Sequence, residues 1–200
     1  TTASMIAHVL ESSGWRVLLG GNAGGGFDGY TEIILRAAEE EFDYIVVEVC
    51  DMTLEFASEC FDIDLAVITN LGEDHLNFHG SMENYRESMA SFLEGRAVVI
   101  SADEPHLEEL TSGASSVMEY TPYRGELVLE GEFNRLNAGA AAEALEFLGV
   151  PSEVISRHLS VFRPVAGRIR SFSVNDALVV AGKTDNPHAM RALLRESNFD

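Results

Sequence analysis

The stretch Asp64-Leu-Ala-Val-Ile-Thr69-Asn70-Leu-Gly-Glu-Asp74-His75-Leu76 decides how this sequence folds. Four apolar residues in a row, at positions 65–68, predict a strand that is buried on both faces. The chain then enters a cluster of oxygen and imidazole groups at Glu73, Asp74 and His75, which are ligand types for a divalent cation. In an open α/β sheet, ligands bind at the carboxyl ends of strands. The stretch therefore indicates either a cation held with an anion or an ordinary strand-to-helix loop with a helix cap.

Buried strands alternate with helices along most of the sequence. The apolar periodicity predicts strands at residues 15–20, 44–49, 65–69, 97–100 and 177–181. It predicts helices at residues 4–12, 31–41, 81–93, 134–148 and 154–159. This alternation is typical of an α/β fold built on a doubly wound, mostly parallel sheet. A short polar–apolar alternation over residues 116–129 predicts antiparallel edge strands.

A break at Pro164 divides the predicted elements. Residues 164–170 are predicted to be a linker, because a new strand and a helical segment follow them. We therefore expect a first domain over residues 1–163. Residues 164–200 would hold the linker and the truncated start of a second domain. The chain opens on two threonines without an initiator methionine, so we expect part of the first domain to lie upstream.

The composition excludes several classes of partner. The formal charge is −20, from 33 acidic and 13 basic residues, so the surface repels nucleic acid and anionic membranes. No apolar run in the sequence approaches the roughly 20 residues that span a bilayer. The sequence begins without a signal-peptide pattern, and its two cysteines lack zinc-type spacing. These features indicate a reduced, cytoplasmic protein.

Candidate metal ligands follow two successive predicted strands. Glu48 ends an apolar strand, where a carboxylate is costly to bury unless it meets a cation or a hydrogen-bond donor. Because His75 ends the next strand, the two side chains can converge on one ion. Carboxylate and imidazole suit Mg²⁺ or Mn²⁺ held together with nucleotide phosphates. The alternative is that Glu48 pairs with an arginine or caps a helix.

Several further residues have the chemistry to contact an anion. Thr1 and Thr2 stand before a predicted helix, either as the end of a phosphate-binding loop or as a simple N-cap. Lys183 follows the strand of the second domain, in what is either an anion-binding loop or an exposed one. Arg168 in the linker carries a guanidinium fork that matches phosphate oxygens. The glycine-rich residues 20–26 allow close approach of a ligand or form a flexible loop.

Taken in order, these segments resemble the Mur ligase family of ATP-dependent peptide-bond-forming enzymes. The resemblance is carried by Thr1-Thr2-Ala-Ser-Met-Ile-Ala-His8, Val47-Glu48-Val49, Thr69-Asn70-Leu-Gly-Glu-Asp74-His75-Leu76, His79-Gly-Ser-Met-Glu-Asn84-Tyr85, Phe133-Asn134-Arg-Leu-Asn137, Gly167-Arg168 and Lys183-Thr-Asp-Asn186-Pro187. The match covers essentially the whole chain in the family's order. Asp51-Met-Thr-Leu-Glu55 and the glycine-rich loop look more like archaeal members, including those thought to build pseudomurein.

The resemblance implies a P-loop-type ATPase core and a carboxylate–amine ligase that uses ATP and Mg²⁺. ATP would phosphorylate a substrate carboxylate, an amine would attack the acyl phosphate, and ADP and phosphate would leave. The implied substrates are a carboxylate-bearing peptide or nucleotide-linked precursor and an amino acid. The implied metal ligands are Glu48, His75 and Thr1. The implied nucleotide-binding residues are Thr1, Thr2, Asn70, Asn134, Asn137 and Arg168. The implied catalytic residues are Lys183, Arg168 and His75.

One position departs from the family pattern. Many members carry a carbamylated, metal-bridging lysine four residues after Tyr85, and that position is Met89 here. A thioether cannot be carbamylated and does not ligate a hard ion. Either a carboxylate such as Glu87 substitutes, or the second metal site is altered, or the chain is a non-catalytic nucleotide-binding subunit. A folylpolyglutamate-type ligase is a further alternative.

Overall fold

The computed structural model describes residues 1–22, 27–163, 170–175, 177–181, 190, 191 and 194. Its strands are β1 (Val17–Gly21), β2 (Tyr44–Glu48), β3 (Leu65–Val67), β4 (Ala97–Ser101), β5 (Ser116–Tyr120), β6 (Arg170–Val174) and β7 (Ala177–Ala181). Its α-helices are α1 (Thr2–Ser12), α2 (Phe27–Glu39), α3 (Leu54–Cys60), α4 (Leu76–His79), α5 (Met82–Leu93), α6 (Glu132–Phe147) and α7 (Ser152–Leu159). Two 3₁₀ helices cover Asp51–Thr53 and Pro105–Thr111.

The strands of the predicted first domain run parallel to their neighbours. β1 pairs with β2, with Gly21 opposite Glu48, and β4 lies between β3 and β5. The predicted α/β fold with mostly parallel strands is therefore confirmed. Within the described residues the hydrogen bonds divide these strands into two ladders, β1–β2 and β3–β4–β5.

The predicted antiparallel edge strands at residues 116–129 are wrong. β5 is parallel to β4, and the described strand ends at Tyr120. Val117 and Glu119 are exposed while Tyr120 is buried, because β5 is the outer strand of its ladder. Polar–apolar alternation therefore reports that one face of β5 is open to solvent and carries no information on strand direction.

Helical layers cover both faces of the strands. Leu145 of α6 belongs to a core formed with α1 and α7, and Leu93 of α5 belongs to a second core formed with α3. Along β4, Val98 and Ile100 face the second core, whereas Val99 packs beside α6. Each such fully buried aliphatic side chain contributes about 1.5–3 kcal/mol. Among the described helices, none combines the length and apolarity that crossing a membrane requires.

Helix α6 lies very close to the chain that follows β5. A methyl group added at Gly139 would overlap the carbonyl oxygen of Thr121. Ala138 and Ala140, the neighbours of Gly139, are fully buried as well. The small side chains of α6 therefore allow the backbone approach that seats this helix against α1 and the strands.

The last described elements form a hairpin. β6 and β7 pair antiparallel around a turn at Asn175, whose φ is 48°. The predicted strand at residues 177–181 is confirmed, and the structure adds its partner, β6. The remainder of the predicted linker, residues 164–169, lies outside the described residues, so the domain boundary stays a prediction.

Candidate functional site

His75 lies at the turn between β3 and α4, at the N-cap position of that helix. Its backbone is left-handed, with φ 45° and ψ 31°, a conformation that residues other than glycine seldom adopt. Its imidazole Nδ1 lies 2.8 Å from Oδ1 of Asp51, and 34% of the side chain is exposed. Asp74 contacts the same residue differently, since its Oδ1 accepts from the His75 backbone N–H at 2.9 Å. The loop thus presents the His75 ring to Asp51 and to solvent.

Asp51, in the 3₁₀ turn that follows β2, contacts this loop through its carboxylate. Its Oδ2 lies 3.0 Å from Nε2 of His79, and the Cys50 thiol donates to its Oδ1 at 3.2 Å. Burial pushes the pKa of the Asp51 carboxyl upward, but hydrogen bonds from Cys50 and His79 and the charge of His75 outweigh it. The pKa of this carboxyl is therefore below its ordinary value. We call Cys50, Asp51, His75 and His79 the polar cluster.

His79 is the most buried member of the polar cluster, with 3% of its side chain exposed. Its ring stacks on Tyr85 of α5 with the centroids 4.4 Å apart and the planes 12° from parallel. Asn84 donates from its side-chain amide to the His79 carbonyl oxygen at 2.9 Å. Burial, followed by the charges of Asp51 and Asp74, raises the pKa of the Tyr85 phenol, so this hydroxyl stays protonated. The first turn of α5 therefore holds His79 in place through Tyr85 and Asn84.

Glu48 ends β2 beside the start of α1. Its Oε2 lies 3.8 Å from the backbone nitrogen of Thr1, and its Oε1 lies 3.5 Å from the Asn22 amide nitrogen. Gly21, opposite Glu48, has φ 76°, and a methyl group there would come within 2.6 Å of the Glu48 carbonyl oxygen. The predicted pairing of Glu48 with an arginine is not among the contacts of the described residues.

The described ligand-type atoms that gather closely enough for one ion belong to Cys50, Asp51 and His75, within 4.8 Å of one another. Burial, its largest cause, raises the pKa of the Cys50 thiol, so the thiol remains a hydrogen-bond donor to Asp51. Convergence of Glu48 and His75 on one cation stays a prediction. The oxygen atoms of Glu48 and Thr1 and the imidazole of His75 are nonetheless a suitable donor set for Mg²⁺ or Mn²⁺.

Four of the six predicted nucleotide-binding residues lie near the starts of two packed helices: Thr1, Thr2, Asn134 and Asn137. Thr2 of α1 donates its hydroxyl to Oδ1 of Asn137 in α6 at 3.0 Å. This bond uses the acceptor atom of the Asn137 amide and leaves its NH₂ group as the donor for a ligand. Asn134 donates to the Glu130 carbonyl oxygen at 2.6 Å, so this contact ties it to the entry of its own helix.

Asn70 is exposed just beyond β3, in the loop that leads to His75. The Tyr120 hydroxyl donates to the carbonyl oxygen of the preceding residue, Thr69, at 2.6 Å. Burial, followed by the nearby acidic residues Asp103 and Glu104, raises the pKa of Tyr120 to about 12, although a hydrogen bond with Ser101 opposes this. Tyr120 therefore holds the start of the loop from β5, two strands away.

Met89 points into the second core. It is 8% exposed and packs with Tyr85 one helical turn before it. Glu87 is exposed on another side of α5, because residues two apart on a helix do not share a face. The helix position of the family's lysine is thus occupied by an apolar core residue. Arg168 and Lys183 lie outside the described residues, and their roles stay predictions.

Sequence reasoning assigned no role to Asp51 and His79, although both residues were part of the quoted motifs. A signal was present, since His75 and His79 are four residues apart and a short helix brings such residues to one side. The hydrogen-bond acceptor of the two histidines could not be identified from the sequence. Asp51 meets their rings only because of the 3₁₀ turn after β2. Asn22 was likewise missed beside Glu48.

The chain is similar in sequence and fold to known proteins. Residues 1–122 match the Mur ligase middle domain family. A UDP-N-acetylmuramoyl-L-alanine–L-glutamate ligase of Xanthomonas campestris pv. campestris (strain 8004) is 28% identical over 219 residues, which cover 97% of this chain and 46% of that protein. The chain thus spans less than half the length of this relative.

Solved structures show the same fold. A pseudomurein peptide ligase type C from Methanothermus fervidus matches with a TM-score of 0.77 and 19% identity, over 98% of this chain and 53% of its own. A MurF ligase from Thermotoga maritima in complex with ADP matches with a TM-score of 0.74 and 18% identity, over 98% of this chain and 53% of its own.

Proposed function

The chain belongs to the Mur ligase middle domain family, and from this premise we propose that it is the ATP-binding part of an ADP-forming carboxylate–amine ligase. The observation that carries the proposal is the position of Glu48 against the start of α1, with Oε2 3.8 Å from the Thr1 nitrogen. The positive end of a helix attracts phosphate. A carboxylate beside that phosphate would repel it unless a cation lay between them. The pair therefore fits a nucleotide bound together with Mg²⁺.

The reaction we propose has two steps. A carboxylate oxygen of the acceptor attacks the γ-phosphorus of ATP, which forms an acyl phosphate and releases ADP. The amine nitrogen of an amino acid then attacks the acyl carbon, the C–N bond forms, the C–O bond breaks, and phosphate leaves as the amine loses a proton. Positioning of the reacting groups and stabilisation of the developing charge supply most of the rate in transfers of this kind.

The residues of the chain would divide this work between them. The first amides of α1 would bind phosphate oxygens, and the NH₂ group of Asn137 would orient the nucleotide, since Thr2 occupies its acceptor atom. Asn134 and Asn70 would line the nucleotide site. Bound Mg²⁺ would supply charge neutralisation at the phosphates.

Glu48, Thr1 and His75 would hold that ion, as the resemblance to the family implies for these positions. Arg168 and Lys183 would reach the phosphate groups from the second domain when the two domains close. Closure also excludes water from the acyl phosphate. The division into residues 1–163 and 164–200 belongs to this proposal.

The acceptor we propose is a carboxylate-bearing peptide of a cell-wall precursor, linked to a nucleotide or another carrier. The ligases named UDP-N-acetylmuramoyl-L-alanine–L-glutamate ligase and pseudomurein peptide ligase support this class. The archaeal resemblance of the Asp51–Glu55 segment favours a pseudomurein-like peptide. A folylpolyglutamate-type acceptor is the alternative within the same chemistry.

One observation favours a second candidate, a non-catalytic nucleotide-binding subunit. Met89 is buried where many relatives carry a metal-bridging lysine, and Glu87 is on a different side of the helix. A protein of this kind would bind Mg²⁺ and ATP without turning the nucleotide over. The two candidates therefore differ in turnover and agree in binding.

The test is ADP release by the intact protein with ATP, Mg²⁺, a panel of amino acids, and peptide or folate acceptors. The ligase proposal expects ADP release that depends on both an amine and an acceptor. Nucleotide binding without turnover in any combination would support the non-catalytic subunit instead. Glu48→Gln should weaken metal-dependent nucleotide binding at least about 10-fold. Glu55→Gln, at an exposed position in α3, is the matched control and should bind like the wild type.

A further inference from the structure

Asp51 contacts two imidazoles through different oxygens. Oδ1 faces Nδ1 of His75 at 2.8 Å, and Oδ2 faces Nε2 of His79 at 3.0 Å. An ionised carboxylate can only accept hydrogen bonds, so the ring nitrogen that faces it must carry the hydrogen in each case. For His75 in its neutral form, that places the hydrogen on Nδ1 and leaves a lone pair on Nε2.

We propose that Asp51 is a positioning residue that fixes His75 in the Nδ1–H tautomer and so presents the Nε2 lone pair to a cation. This inference rests on the proposed function, in which His75 is a metal ligand. A second carboxylate or carbonyl behind a ligating histidine sets both its tautomer and its ring orientation. Asp51 has the geometry for this role, and it belongs to the 3₁₀ turn after β2, a separate segment from the loop that carries His75.

The second contact of Asp51 explains why the carboxylate itself is held still. His79 is buried, stacks on Tyr85 and is tied to α5 through its carbonyl oxygen. His79 is therefore an immobilised hydrogen-bond donor to Oδ2 of Asp51, the oxygen that does not face His75. Cys50 adds a third donor from the same turn. Only 11% of the Asp51 side chain is exposed, so water competes weakly for its oxygens.

Asp74 is the other carboxylate close to His75, and its geometry assigns it a different task. Its Oδ1 lies 3.7 Å from Nδ1 of His75, beyond hydrogen-bond distance, but accepts from the His75 backbone amide at 2.9 Å. Asp74 therefore supports the left-handed backbone of the turn, while Asp51 orients the ring. The two carboxylates hold different parts of the same residue.

The tautomer is measured directly on the wild-type protein. In a ¹⁵N-labelled sample of the intact protein, long-range ¹H–¹⁵N correlation spectra distinguish a protonated ring nitrogen from an unprotonated one, and loss of the signals in His75→Gln assigns them. We expect His75 with Nδ1 protonated and Nε2 unprotonated. A His75 ring protonated at Nε2 and unprotonated at Nδ1 would overturn the proposal without any Asp51 variant.

A second measurement follows the cation without using turnover. Binding of Mn²⁺ in the presence of ADP is titrated by the electron paramagnetic resonance signal of the free ion. Asp51→Asn should weaken binding about 10- to 100-fold and mix the His75 tautomers, while the exposed control Asp64→Asn should leave both unchanged. His79→Gln keeps Asp51 but removes the imidazole that holds its Oδ2 atom, so it should weaken Mn²⁺ binding less. This variant replaces Asp51→Asn in the test if Asp51→Asn does not fold.

The outcomes separate this inference from the proposed function. If His75→Gln weakens Mn²⁺ binding but neither Asp51→Asn nor His79→Gln does, the positioning role is wrong and the metal assignment stands. If His75→Gln itself leaves Mn²⁺ binding unchanged, His75 is not a ligand. The proposed presentation of Nε2 to a cation is then overturned together with that part of the proposed function.

Discussion

The two sides of the candidate site are built by different means. On one side, Thr2 and Asn137 form a hydrogen bond where α1 and α6 pack on a large apolar core. Gly139 lets α6 approach the backbone at Thr121 closely. We call α1 and α6 the helix pair. On the other side, the polar cluster joins two loops through the Asp51 carboxylate.

The difference shows how each side achieves rigidity. The helix pair is rigid because its small side chains allow close packing of the two helices. The hydrogen bond between Thr2 and Asn137 therefore joins two helices whose positions are already fixed by packing. The polar cluster owes its geometry to hydrogen bonds whose members are partly buried, and losing one leaves the others unsatisfied. Changes of volume should therefore damage the first side, and changes of hydrogen-bonding capacity the second.

Gly139→Ala should give the largest effect, because it adds volume where the helix pair has none to spare. The new methyl group overlaps the Thr121 carbonyl oxygen, and overpacking of this kind costs about 3 kcal/mol. The melting temperature should fall by about 6–12 °C. Gly113→Ala is the control, since its nearest neighbour is the flexible Glu94 side chain at 3.3 Å. Equal melting temperatures for the two variants would contradict the packing account.

Tyr120 connects the two sides, since it packs beside Ala140 of α6 and bonds the Thr69 carbonyl oxygen. Its pKa is raised to about 12, against about 10 for an unfolded tyrosine. The native state thus holds this proton more tightly. The resulting stability is complete below about pH 10 and is lost as the pH rises towards about 12, by at most about 3 kcal/mol.

Urea unfolding of wild type and Tyr120→Phe from neutral to strongly alkaline pH measures this contribution. The variant should be about 1 kcal/mol less stable at neutral pH, because it loses the hydrogen bond to the Thr69 carbonyl oxygen. This difference in stability should shrink and then reverse as the pH rises towards about 12. Tyr44→Phe, at the partly exposed start of β2, serves as the control. A gap that stays constant at alkaline pH would refute the assignment.

His79→Phe tests the polar cluster while keeping a flat aromatic ring at position 79. The ring can still stack on Tyr85, but Asp51 loses a donor, and an unsatisfied buried acceptor costs about 2 kcal/mol. Chemical denaturation should show that loss. His106→Phe removes an imidazole whose ion pair with Glu104 is partly exposed, and its cost should be close to zero. A harmless His79→Phe would mean that the cluster, like the helix pair, depends on packing alone.

Thr2→Val should have a small effect, because the side-chain shape is kept and a single hydrogen bond between α1 and α6 is lost. We expect about 1 kcal/mol of destabilisation and weaker ADP binding measured by calorimetry, since the Asn137 amide is then free to turn. Thr2→Ser keeps the hydroxyl and should bind ADP like the wild type. Unchanged ADP binding in Thr2→Val would remove Asn137 from the nucleotide site.

The sequence predicted most of the strands and helices well, because the periodicity of apolar residues follows which side chains are buried. The apolar run at residues 65–68 identified a strand, and the spacing of Tyr85, Met89 and Phe92 is that of a helix stripe facing a core. Met89 as a core residue was therefore readable from the same pattern. The direction of β5 was not readable, because alternation is the same for an outer strand of either direction.

The polar cluster was less predictable for a different reason. Asp51, His75 and His79 each lie in a motif, but their hydrogen bonds join residues from two loops. The pairing depends on the 3₁₀ turn at Asp51–Thr53 and the short α4. Short turns of this kind leave little periodicity to read. The left-handed backbone of His75 was equally hidden, since the residue is not a glycine.

The sequence separations of these contacts have a consequence for folding. Asp51 is 24 residues from His75 and 28 from His79, whereas Thr2 is 135 residues from Asn137. Closing the longer loop costs about 1.5 kcal/mol more chain entropy than closing the shortest. Contacts between near neighbours in the chain also form faster. We therefore expect the loops around Asp51 to reach native order early in refolding and the α1–α6 contact to complete it.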